Sequence, residues 1–88
     1  MTMTNTTWYH GGDFIDGKAK GTYLYVTEFQ KLAEAHAHEK KPNGALYRLR
    51  PEYCHLVKDH PGRRRIKVIL QTHLQELGGA LSVFEKIK

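Results

Sequence analysis

The sequence predicts a small α+β domain: a mixed or antiparallel sheet of about four strands with two helices, in the order β-β-α-β-α-β. Three observations predict it. Thr22–Val26 alternates cleanly, with Tyr23 and Tyr25 on one face and Thr22, Leu24 and Val26 on the other. From Thr27 onward, Phe29, Leu32, Ala33, His36 and Ala37 recur at helical spacing and share a face. Glycine and proline punctuation at Gly11-Gly12, Pro42-Asn43-Gly44, Pro51, His60-Pro61-Gly62 and Gly78-Gly79 cuts the chain into pieces of strand and helix length.

Each element has its own warrant. Residues 1–6 lack periodicity and read as a flexible N-terminus ahead of a single domain over 7–88. Thr7–His10 is β-branched and aromatic and is stopped by Gly11-Gly12, which predicts a first strand. Asp13–Gly21 is charged and glycine-containing, a loop before the second strand at Thr22–Val26. Thr27 is a good N-cap, and Gln30 three residues later completes a capping box. Pro42-Asn43-Gly44 ends that helix, and Ala45–Arg50 alternates into a third strand closed by Pro51. Residues 52–62 have no regular pattern and finish in a strong turn. Ile66, Ile69, Leu70, His73, Leu74 and Leu77 form a helical stripe, and their length predicts a helix over 64–77. The alternation of Ile66, Val68 and Leu70 is the competing strand signal. Leu81–Ile87 reads as the final strand. Trp8 and Tyr47 are expected in the core.

Composition excludes several classes. The chain has 88 residues, 40% hydrophobic and 26% charged, which is ordinary globular usage rather than disorder. Its longest apolar runs fall far short of the roughly 20 residues that span a bilayer, and no basic start leads into an apolar signal segment. A cytoplasmic protein without membrane partners is the expectation. The single cysteine, Cys54, excludes an internal disulfide and reads as a partly buried, inert thiol. Fourteen Lys+Arg against nine Asp+Glu give a formal charge of +5, unevenly spread. Arg63, Arg64, Arg65 and Lys67 place four cations in five positions. That run suits phosphates, nucleic acid or an acidic protein surface, and it equally suits a solvated basic face. On the first turn of a helix it would oppose the helix dipole, so either an anion binds there or the residues before Ile66 are not helical.

Three segments carry a resemblance. Trp8-Tyr9-His10-Gly11-Gly12, then Gly21-Thr22-Tyr23-Leu24-Tyr25-Val26-Thr27 with the alanine-rich stretch to His38, then Ala45-Leu46-Tyr47-Arg48-Leu49-Arg50-Pro51 follow one another in order. Together they resemble mono-ADP-ribosyltransferases of the diphtheria-toxin/PARP type, over residues 8–51. The resemblance implies NAD as cofactor. It implies that His10, with Gly11 beside it, holds the adenosine side, and that Tyr23 or Tyr25 stacks on the nicotinamide. It also implies a late glutamate that stabilises the oxocarbenium-like state, for which only Glu76 and Glu85 are late enough. A second helix tyrosine of the family would fall near His36.

No metal is expected. His36 and His38 lie two apart and point to different sides of a helix, Cys54 and His55 face opposite ways on an extended segment, and neither Cys-x-x-Cys nor His-x-x-x-His occurs. Two functional expectations result. The first is a minimal ADP-ribosyltransferase-like domain that binds NAD or a related nucleotide. The second is a small basic binding or inhibitory module that docks on nucleic acid, a nucleoprotein complex or an acidic protein surface.

Overall fold

Two three-stranded antiparallel sheets face each other across one core. In the computed structural model, which describes residues 6–12, 22–40 and 45–87, the elements run β1 (Tyr9–Gly12), β2 (Tyr23–Val26), α1 (Gln30–Lys40), β3 (Ala45–Leu49), a 3-10 helix (Pro51–Leu56), β4 (Lys58–His60), β5 (Arg63–Leu70), α2 (Gln71–Glu76), α3 (Ala80–Val83) and β6 (Phe84–Lys86). The side chains of residues 38–40 and of Arg64 are not among those described, and the expected loop at 13–21 and turn at 42–44 lie outside the described residues. One sheet has the order β1-β3-β6 and the other β2-β5-β4. The α+β class stands; in place of a single sheet of about four strands, the described residues form six strands in two sheets.

The sheets separate because β1 and β2 stop pairing almost as soon as they meet. Tyr9 and Thr27 exchange both backbone bonds, at 2.7 and 2.9 Å, and form an isolated bridge. Beyond it β1 pairs with β3, and β2 pairs with β5. Between the sheets lie Leu24, Val26 and Ile69 from one side and Ala45, Tyr47, Leu49 and Phe84 from the other. Leu74, Ala80 and Val83 join the same cluster, and Trp8, Tyr53, Leu56 and Val57 pack around it. Burial of each large side chain contributes about 1.5–3 kcal/mol before entropy is counted.

On the far face of β1-β3-β6, α1 packs over β1 and β3. Here the expected stripe narrows: Ala33 and Ala37 are buried, whereas Phe29, Leu32 and His36 are exposed. The reason is the close approach of helix to strand. A Cβ at Gly11 would come within 1.8 Å of the Ala33 carbonyl oxygen. Only small residues fit such a seam, so the two alanines make it and the large side chains turn outward. Gly11 and Gly12, expected to stop the first strand, are its last two residues. Thr27 does cap locally, its Oγ1 accepting from the Phe29 N–H at 3.1 Å, while Gln30 bonds Glu34 instead of closing a capping box.

The helix expected over 64–77 is corrected to a strand followed by a short helix. Arg63–Leu70 is held by β2 on one side and β4 on the other, so the ladder supplies the bonds a helix would have made internally. Val68 and Ile69 point to opposite faces and both are fully buried. A strand buried on both faces reads as a continuous apolar run, and it coincided here with a helical period. Gly78-Gly79 ends α2 as expected: both glycines have positive φ (97° and 104°), and the Gly79 N–H reaches the Leu74 carbonyl at 2.7 Å. Leu81–Ile87 begins as α3 and becomes β6 only at Phe84. Residues 52–62, expected to be irregular, supply the 3-10 helix and β4. Cys54 lies exposed on that helix, not partly buried. Among the described residues no helix is long and apolar enough to cross a membrane.

Candidate functional site

The strand alternation that buries Leu24 and Val26 sends Tyr23 and Tyr25 to the other face of β2. That face is the outside of β2-β5-β4. The register sets Tyr25 opposite Val68 and Val68 opposite Lys58, so tyrosine, valine and lysine form one row across the three strands. Tyr23 lies in the neighbouring row with Leu70. His60, the last residue of β4, brings its ring to 4.8 Å from that of Tyr23 and 6.0 Å from that of Tyr25, nearly parallel to the latter (8°). Tyr25 keeps 49% of its surface exposed. Val68 is fully buried at the base of this face. The result is an apolar base carrying a cluster of rings, one of them half exposed.

The turn that follows fixes His60. Its Nδ1 accepts the Gly62 N–H at 2.9 Å, so the imidazole is anchored to the His60-Pro61-Gly62-Arg63 hairpin end. Arg63, directly across from His60, is exposed, as are Arg65 and Lys58. Among the described residues none of these three makes an ion pair. Lys67 differs: it is bound to Asp59, its partner in the register. Because the basic run belongs to a strand, the conflict with a helix dipole disappears. Arg64 is a β5 residue whose side chain is not described.

His10 sits elsewhere. Its ring points to the core side of β1, tilted against Tyr47 at 6.5 Å and Phe84 at 6.3 Å. Its Nδ1 donates to the Tyr25 carbonyl oxygen at 2.8 Å, across the gap that opens once β1 and β2 part. The side chain thus takes a carbonyl that β1 has stopped pairing. Burial lowers the His10 pKa from its ordinary value, the bond to Tyr25 opposes that, and the charge of His36 adds to the lowering. The neutral ring is therefore favoured, with its proton on Nδ1.

Of the residues singled out from sequence, the structure brings His10 to the backbone of Tyr25 and not to its ring. Gly11 is taken up by the close approach of α1. Tyr23 and Tyr25 share a face, and Arg63 borders it through His60. Glu85 lies in the Tyr9–Arg48–Glu85 row, on the opposite face of its sheet from His10, and bonds Arg48 at 2.9 Å. That guanidinium holds the Glu85 carboxyl below its usual range. Glu76 is exposed at the end of α2. His60 and Lys58 were missed from sequence. A histidine immediately before Pro-Gly in a hairpin was the available signal for His60, but only with 63–70 read as a strand. Comparison with protein-family models, curated proteins and solved structures gave no match for this chain.

Proposed function

We propose that this domain binds NAD or a related nucleotide on the outer face of β2-β5-β4, with a flat ring of the ligand stacked on Tyr25 and Tyr23. One observation carries the reading: Tyr23, Tyr25 and His60 cluster on one sheet face with Tyr25 half exposed, and Lys58 lies in the row of Tyr25. A nucleotide presents the two things such a face recognises, a π-surface and an anion. The tyrosines are those that the likeness to ADP-ribosyltransferases assigns to nicotinamide stacking. His10 is a positioning residue here, because its bond to the Tyr25 carbonyl holds the strand that carries the platform.

The proposal is for binding. Transfer chemistry needs a carboxylate aimed at the developing cation. Glu85 is engaged with Arg48 in the other sheet, and Asp59, the one acid in β2, β4 and β5, is engaged with Lys67. Calorimetric titration with NAD and with ADP-ribose tests the reading. Tyr25→Leu should weaken NAD about tenfold or more, since stacking on an aromatic is worth about 1–3 kcal/mol per base. Absence of heat and of thermal stabilisation at saturating NAD and ADP-ribose overturns it.

A further inference from the structure

The ring cluster does not end at the tyrosines. His60 belongs to it, and His60 is also the residue facing Arg63 across the Pro61-Gly62 turn. The stacking surface therefore abuts the start of the cationic run. Lys58, Arg63 and Arg65 are exposed and make no ion pair among the described residues. Lys58 and Arg63 border the rings, and Arg65 lies further along β5, beyond the stretch that β2 pairs. Partly open rings followed by a line of such cations match a polymer that alternates bases with phosphates.

We infer that single-stranded nucleic acid binds here, with bases stacked on Tyr25 and Tyr23 and phosphates running past Lys58 and Arg63 to Arg65 along β5; the inference rests on the stacking role given to Tyr25 above. A duplex is the poorer fit, because its bases are already stacked on one another and offer no free face to a flat sheet. An acidic protein surface would satisfy the cations and leave the rings without a role. The formal charge of +5 favours any polyanion at long range, so the rings decide between them.

Fluorescence anisotropy with a labelled thymidine oligomer of about 12 nucleotides tests this, within the range that such surfaces cover. The same oligomer in duplex form and a polyglutamate peptide serve as competitors. The parent protein should bind the single strand more tightly than the duplex, and polyglutamate should compete poorly. Tyr25→Leu should weaken binding about tenfold or more, and Tyr25→Phe, which keeps the ring, should retain it. Arg63→Glu with Arg65→Glu should abolish capture at ~150 mM salt. Taken singly, either charge reversal removes one phosphate partner and should lower the slope of log affinity against log salt by about 0.7. The double variant should weaken NAD far less than the oligomer, because Tyr23, Tyr25 and Lys58 remain in place. Duplex binding as tight as the single strand, equal displacement by polyglutamate, or indifference to Tyr25→Leu each overturns the inference. Binding of NAD without the oligomer overturns it alone, whereas binding of the oligomer without NAD overturns only the nucleotide reading.

Discussion

The two sheets of this domain differ in what lies on the face turned away from the core. On β1-β3-β6 the alanine seam of α1 packs over β1 and β3, with Arg48 and Glu85 part-exposed beside it. On β2-β5-β4 that face carries Tyr23, Tyr25, His60 and Lys58 around a buried Val68, with Tyr25 half exposed. The Tyr-His-Gly-Gly string, the most conspicuous motif of the sequence, lies in β1-β3-β6, where its histidine ties strands together and its glycine admits a helix. The residues proposed to stack on a ligand lie in the other sheet, and His10 meets them only through the Tyr25 carbonyl.

The largest expected effect separates covered from open positions for one residue type. Phe84 is 1% exposed and Phe29 is 63% exposed. Phe84→Ala should cost about 3–5 kcal/mol in urea unfolding, and Phe29→Ala well under about 1 kcal/mol. Similar costs would break the distinction, because they would mean that Phe29 is buried in solution.

The next contrast lies within β2. Leu24 is 3% exposed and faces the core, while Tyr25 faces out. Leu24→Ala should destabilise by about 2–4 kcal/mol. Tyr25→Leu, which keeps an apolar cover over the outer face, should cost less than about 1 kcal/mol and should instead weaken ligand binding. The opposite order would show that the faces of β2 are exchanged.

The smallest effect concerns pH and the tie between the sheets. His10 has a folded pKa below its unfolded value, so it binds fewer protons folded than unfolded. Its neutral form is fully present in both states well above the ordinary histidine pKa of about 6.5. As pH falls through that value the unfolded state takes up the proton first, and stability is lost until the folded pKa is also passed. Melting temperature should therefore drop on acidification from neutral pH. His10→Gln, which can still donate to the Tyr25 carbonyl without titrating in this range, should show a smaller drop. Equal drops would remove His10 as the cause.

Much of this architecture was legible in the sequence, and the illegible part has a common cause. Tyr23–Val26 was readable because one buried face imposes strict alternation, and Gly78-Gly79 because a helix end demands positive φ. Arg63–Leu70 was not, because Val68 and Ile69 are buried on opposite faces and their contiguity erases the alternation. Losing that strand also hid the two-sheet arrangement, since β2 and β4 both pair with it. The candidate site suffered likewise. Tyr23 and Tyr25 could be placed on one face from spacing alone, whereas His60 and Lys58 join them only through pairing with β5. The burial of His10 was equally hidden, because it depends on strands and a core that are distant in sequence.

The proposed ligand recognition on the outer face of β2-β5-β4 can be mapped by the amide chemical shifts of the nitrogen-15-labelled protein during NAD titration. Saturable shifts should concentrate at Tyr23, Tyr25, Lys58, His60 and Val68, with α1 and the Arg48–Glu85 row unmoved. Shifts centred instead on Gly11, Ala33 and Ala37, with the tyrosine face silent, would contradict it.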